Sequence, residues 1–310
     1  MSTPTRYSGL FPVAPTAFHA DGSLDLEGQR RVLDCMIDQG VDGICILANY
    51  SEQFLVSDEE RAVLTRLCLE HVAGRIPIIV TCSHFSTEIA ALRGAEAAKL
   101  GASLLMITPP YHGMNTQLVK IGDQQIYEHF AAVADAARIP IMIQDAPLSG
   151  VNLSVDLLVR IAREIPLVSY FKIEIPGTAA KLRQLIEKGG DAIVGPFDGE
   201  EAITLMADLD AGATGCMTSA MAPDLIAPIL RDYWVGDRAG AMLGYQNVLS
   251  LINFENRQCG LRAAKTVMME GGVIASDHVR HPLEQIHPAT KAELLELARQ
   301  VNPIALYWGR

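Results

Sequence analysis

Two charged residues stand where charge is expensive. Lys172 closes the apolar and aromatic run Val168-Ser169-Tyr170-Phe171, and Glu174 follows two residues later. A lysine at the inner end of a buried strand is costly unless it is paired or sheds its proton. Desolvation favours the neutral amine, and a neutral amine attacks a ketone to form a Schiff base. Position alone leaves open a lysine whose head snorkels to solvent. Glu174 adds the second observation. Strand side chains repeat every two residues, so both groups point into one cavity if the extended backbone continues. A carboxylate there can move protons at the carbons beside an imine. The plain alternative is a structural ion pair.

Other candidates sit at similar places. Asn49-Tyr50-Ser51 forms a polar turn after an apolar run, and its N–H groups and the Ser51 hydroxyl can hold a carboxylate. Gln144 and Asp145 end the run Pro140-Ile141-Met142-Ile143. Tyr111 and His112 follow Thr108-Pro109-Pro110, where a packing tyrosine would also fit. Glu201, in Gly199-Glu200-Glu201, can supply a second acid or base, or merely a charge at a helix N-terminus. His84, at the end of the third strand, fits a site residue or, as the preferred reading, a hydrogen-bonded core histidine.

These positions make sense only on a scaffold that gathers strand ends. Strand-like runs cover residues 11–15, 42–48, 77–82, 103–108, 140–144, 168–172, 192–195 and 213–218. Several are apolar on both faces, as buried parallel strands are. Amphipathic helices alternate with them, including 26–39, 58–73 and 87–100. Asp58 and Thr87 are the expected N-caps, and Gly40 and Gly101 the expected stops. Eight strands alternating with helices predict an α/β fold, the (β/α)8 TIM barrel, whose chemistry lies at the C-terminal strand ends. An open doubly wound sheet fits the alternation too, but no glycine-rich phosphate loop follows the first strand. Beyond residue 223 only helices are expected, at 223–234, 238–257, 259–270 and 288–300. The reading is a barrel over 1–223 with the site, and a helical appendage over 224–310 packed on it.

Composition narrows the classes. Of 310 residues, 49% are hydrophobic and 20% charged, enough for a sizeable core and too little polarity for disorder. A net charge of −11 without a basic patch argues against a nucleic-acid partner. No apolar run is long enough to span a membrane, and no signal-peptide pattern opens the chain, so a cytoplasmic location is expected. None of the six cysteines forms a CxxC pair, and none has a histidine at ligand spacing. Reduced core residues are expected, and no metal site.

Taken together, these residues resemble the dihydrodipicolinate synthase / N-acetylneuraminate lyase family over nearly the whole chain. Residues 9–25 are similar to its opening strand and loop. Gly43 to Leu47, the turn, Glu52, and Leu55 to Arg61 resemble the stretch around its GTTGE motif. Lys172 matches its Schiff-base lysine, and Gly212 to Gly215 its eighth-strand glycine motif. Tyr111 matches a tyrosine that enters a neighbouring subunit's site. The resemblance implies a barrel with C-terminal helices, a tetramer, and no metal or organic cofactor.

The chain departs from that pattern in three places. Ala48-Asn49-Tyr50-Ser51-Glu52 replaces GTTGE, so both threonines are gone. Gln144-Asp145 replaces a tyrosine-asparagine pair whose tyrosine is the family's general acid/base. Glutamine cannot pass protons as a phenol does. Residues 253–260 (NFENRQCG) replace an asparagine-proline motif. Glu174 is the natural substitute for the missing relay. The ILAN-aromatic-SEQF, PPYHG, IQDAP, FKIExPG and GPxDGEEAITL segments resemble the subgroup that dehydrates 2-keto-3-deoxy-L-arabonate.

That resemblance implies a small 2-keto-3-deoxy sugar acid as substrate and 2-oxoglutarate semialdehyde as product. Lys172, Glu174 and Glu201 are the expected catalytic groups, and Asn49, Tyr50, Ser51, Tyr111, His112 and Gln144 the expected substrate contacts. Competing readings remain at this point. One is an aldolase or lyase releasing pyruvate and an aldehyde. Another is a non-catalytic sugar-acid binder. A dehydratase for a deoxyfuconate or deoxyglucarate derivative is a third.

Overall fold

The computed structural model describes residues 6–110, 121–146 and 150–310. Among the described residues eight strands alternate with helices in chain order, and the strands hydrogen-bond in the order β1-β8-β7-β6-β5-β4-β3-β2. This is the (β/α)8 barrel that the alternation predicts. The chain forms two compact units.

One unit holds Ile79–Glu200 and Thr204–Cys216, with the N-terminal residues to Ser8. It contains all but the first residue of β3 (Ile78–Thr81), then β4 (Leu104–Ile107), β5 (Ile141–Asp145), β6 (Val168–Ile173), β7 (Gly195–Asp198) and β8 (Gly215–Cys216). Adjacent strands pair in parallel, and every strand residue is buried. The connecting helices are α3 (Thr87–Lys99), α4 (Asp123–Ala137), α5 (Val155–Glu164), α6 (Thr178–Gly189) and α7 (Leu205–Asp210). α3 packs closely on α4 because Gly94 has no side chain. A Cβ there would lie 2.9 Å from Leu105 Cδ1 and 3.3 Å from Val133 Cγ1.

The other unit holds Gly9–Ile78, Glu201–Ile203 and Met217–Arg310. It contains β1 (Gly9–Leu10), α1 (Leu26–Asp38), β2 (Ile44–Ile46), α2 (Asp58–Val72) and four C-terminal helices. These are α8 (Pro223–Trp234), α9 (Arg238–Phe254), α10 (Arg262–Glu270) and α11 (Pro288–Val301). Val13 bridges Cys45 and Ser219 in parallel.

Several element boundaries differ from the sequence expectation for physical reasons. The first strand is two residues plus the Val13 bridge, because Pro12 and Pro15 carry no N–H for a continuous ladder. The seventh starts at Gly195, since residues 190–192 wind into a 3₁₀ turn. Ser57 and Ser86, not Asp58 and Thr87, cap α2 and α3; each hydroxyl accepts from the N–H three residues on. Gly40 and Gly101 stop α1 and α3 with φ of +76° and +99°. All six cysteines are buried thiols outside any disulfide. No described helix is long and apolar enough to cross a membrane.

Candidate active site

The first unit gathers Lys172, Glu174 and Gln144. Glu174 donates its N–H to the Asp145 carbonyl at 2.9 Å, so strand pairing persists one residue past β6. Its side chain therefore returns to the face of Lys172, and its Oε2 lies 3.1 Å from Lys172 Nζ. Gln144 Nε2 donates to the same oxygen at 2.8 Å. Lys172 and Gln144 are buried, and Glu174 is partly open to solvent. Among the described residues Gln144 Oε1 is buried with no hydrogen-bond partner, an acceptor left for something that enters the site.

A one-residue irregularity makes this meeting possible. Ile141 pairs with Val168, but Met142 pairs with Tyr170, so Ser169 is an extra residue in β6. Without it Gln144 would stand opposite Phe171. With it Gln144 stands opposite Lys172. Bulges that re-aim a side chain are typical next to sites of chemistry. Hydrophobic patterning carries no sign of it.

Gly199 guards the lysine stem. A Cβ there would fall 2.7 Å from Lys172 Cγ and 2.8 Å from the Ile173 carbonyl oxygen. Gly199→Ala should displace the amine, and a misplacement of about 1 Å costs on the order of 10²-fold in rate. Steady-state kinetics and borohydride-trapped adduct should fall together.

Asp145 points elsewhere. Its Oδ2 lies 2.5 Å from Lys181 Nζ, and Lys181 also donates to the Leu153 carbonyl. Burial raises the Asp145 carboxyl above its ordinary value, and Lys181 opposes that rise. His84 is half-buried, its Nδ1 accepting from Ser86 N–H at 2.9 Å, so it is not the core histidine expected. That place belongs to His129, whose Nδ1 lies 2.9 Å from Thr87 Oγ1 and which burial pushes down to about 4.

Sequence reasoning missed a buried acid cluster beyond β7. Asp198 accepts from Cys216 Sγ at 2.9 Å and from Glu200 N–H at 3.1 Å. Asp208 is raised to about 7, by burial first and then by the charge of Asp198, while the Thr204 hydroxyl opposes it. A carboxyl whose folded value exceeds its unfolded one weakens the fold as it is forced to ionise. The cost grows as pH rises from about 4 to about 7 and is constant above that window. Asp208→Asn should raise Tm by several degrees at about pH 8 and by less at about pH 5, in thermal melts.

The second unit carries the polar turn and Glu201. Residues Asn49–Ser51 form one 3₁₀ turn. Ser51 Oγ donates to the Ala14 carbonyl at 2.6 Å and accepts from Ala48 N–H at 3.1 Å. Asn49 Oδ1 accepts from Gln53 Nε2 at 2.5 Å, while Asn49 Nδ2 is buried without a partner among the described residues. The turn thus keeps one donor in reserve. Glu52 anchors it. Its fully buried carboxylate pairs with the equally buried Lys265 ammonium and accepts from Arg280 N–H at 2.9 Å. Removing one partner of such a pair costs about 3–5 kcal/mol, because the other charge is stranded.

Glu201 is not at a helix N-terminus, since α7 begins four residues later. It is buried, and both it and Ala202 have left-handed backbones, with φ of +51° and +67°. Strain of this kind persists only where the surroundings impose it, and it clusters at functional sites. Glu201 Oε2 accepts from Asn256 Nδ2 at 3.2 Å. Tyr111 and His112 lie outside the described residues. Among the described residues, no group of three or more histidine, cysteine or acidic side chains is arranged to hold a metal ion.

Known proteins resemble this chain along its length. The model of the dihydrodipicolinate synthetase family matches residues 6–301. The L-2-keto-3-deoxyarabonate dehydratase of Azospirillum brasilense is 57% identical over 308 residues, which is 99% of this chain and 98% of that one. A 4-hydroxy-tetrahydrodipicolinate synthase of Dechloromonas aromatica is 28% identical over 96% of this chain and 99% of its own. Among solved structures, YagE of E. coli K12, a member of the dihydrodipicolinic acid synthase family in complex with pyruvate, superposes with a TM-score of 0.86. It is 25% identical over 96% of this chain and 99% of that one. Dihydrodipicolinate synthase of Thermotoga maritima gives 0.88 at 23% identity over 96% of this chain and 99% of that one, a likeness of fold.

Proposed function

Because the chain belongs to the dihydrodipicolinate synthetase family, we propose that it is a Schiff-base dehydratase acting on 2-keto-3-deoxy-L-arabonate. The products are 2-oxoglutarate semialdehyde and water. One observation carries the reading: the Glu174 carboxylate sits 3.1 Å from the Lys172 amine and is held by Gln144. The dehydratase of Azospirillum brasilense supports the choice of substrate.

The turn at Asn49-Tyr50-Ser51 takes the substrate carboxylate, with the Asn49 amide as its available donor. Lys172 attacks the C2 ketone and expels water, forming a protonated imine that acidifies C3. Glu174 removes a C3 proton. The C4–O bond breaks, its electron pair leaves with the hydroxyl, and Glu201 gives that oxygen a proton to make water. Loss of a C5 proton yields a dienamine-enol. Protonation at C4 with loss of the C5 enol O–H proton forms the aldehyde, and protonation at C3 followed by hydrolysis of the imine releases the semialdehyde and free Lys172. The two waters of imine formation and hydrolysis cancel, so one water is lost overall.

Gln144 argues against aldol cleavage. That reaction needs a base for the C4 hydroxyl, and an amide cannot be one. Gln144 instead aims Glu174 and leaves Oε1 for a substrate hydroxyl. The working form is assigned as a homotetramer on family resemblance, and as cytoplasmic on the reading of the six cysteines as reduced core residues. The test is product identification with a panel of 2-keto-3-deoxy acids. Semialdehyde from the L-arabonate derivative supports the reading, and pyruvate overturns it.

A further inference from the structure

The segment that breaks the C-terminal helices has a structural purpose. Glu255–Cys259 is a π-turn joining α9 to α10, closed by a Gly260 N–H to Glu255 carbonyl bond of 2.6 Å across five residues. Gly260 ends it with φ of +59°. Single π-turns in helices are rare, and they are found at functional sites. This one sends two consecutive side chains to two partners. Glu255 is buried against Ser219, and burial raises its carboxyl to about 8. Asn256 is half-buried and reaches the Glu201 carboxylate. Glu255, Asn256, Ser219 and Glu201 belong to one compact unit.

Glu201 needs such a contact. Its backbone is left-handed, and a glutamate side chain has three torsions to settle. A hydrogen bond from a fixed amide to a carboxyl oxygen selects one rotamer and holds the group in place. We propose that Asn256 is a positioning residue for Glu201, and that the π-turn serves to aim its amide at that carboxylate. The inference rests on the assignment of Glu201 as the acid.

The test compares Asn256→Ala, Asn256→Asp and Glu201→Gln, with the double variants, in the full-length enzyme. Asn256→Ala should lower kcat roughly tenfold with KM within about twofold, and leave borohydride trapping of Lys172 unchanged. Asn256→Asp is nearly isosteric, so a packing role would tolerate it better than alanine. A donor role makes it worse, since a carboxylate has no N–H to give and competes for the Glu201 proton. In the Glu201→Gln background, Asn256→Ala should add nothing. Full kcat in folded Asn256→Ala or Asn256→Asp, beside a crippled Glu201→Gln, overturns the role of Asn256 and leaves that of Glu201 standing. Full kcat in Glu201→Gln overturns the assignment beneath it, and this proposal with it.

Discussion

Replacing Lys172 by alanine should eliminate the borohydride-stable adduct and lower turnover by more than roughly 10⁴-fold, the scale seen when a covalent nucleophile is lost. Alanine also strands Glu174 beside a buried gap, so a second substitution isolates the chemistry. Lys172→Arg keeps the positive charge near Glu174, yet guanidinium does not give up its proton and forms no imine. Both variants should be inactive and unlabelled when incubated with substrate and borohydride and then mapped by peptide mass. A labelled peptide that excludes Lys172 would remove the central assignment.

Glu174→Gln should separate imine formation from the later proton transfers. The amide keeps the length of the side chain and can still accept from Gln144, so the local packing is preserved. Only the proton traffic is lost. General acid–base catalysis by one positioned group is worth roughly 10²–10⁴-fold, and turnover should fall by that factor. The adduct on Lys172 should remain trappable, because the amine needs no help from Glu174 to reach the ketone. Near-normal turnover would reassign the proton transfers. Failure to trap any adduct would show that Glu174 prepares the amine itself.

Much of this site was legible because strands and charges obey simple periodicities. Lys172 and Glu174 share a face by the two-residue repeat, and the pairing past β6 keeps the repeat intact. The helix stops at Gly40 and Gly101 were legible because only glycine adopts their backbone at no cost. What escaped depends on contacts between segments distant in sequence. The extra residue at Ser169 leaves no trace in hydrophobic patterning. Gly199 has no side chain for a sequence reading to weigh, although it clears space for the Lys172 stem. The left-handed pair at Glu201 and Ala202 violates local preference, so no local rule finds it. Asn256 lies 55 residues beyond Glu201, and the helical pattern around it concealed the π-turn. The caps moved by one residue because the Ser57 and Ser86 hydroxyls reach the open N–H groups ahead of their neighbours.

The extra residue in β6 has a consequence for how such a site can change. The identity of the group facing Lys172 is set by counting along two strands, not by the side chains alone. A ladder that is regular at Ser169 would present Gln144 to an aromatic ring and take away the brace on Glu174, with every reacting group still in the chain. Backbone length is therefore a heritable variable of the chemistry, separate from residue type. A comparison that aligns only catalytic letters would score two such chains as equivalent, while one insertion decides whether the carboxylate is held in place.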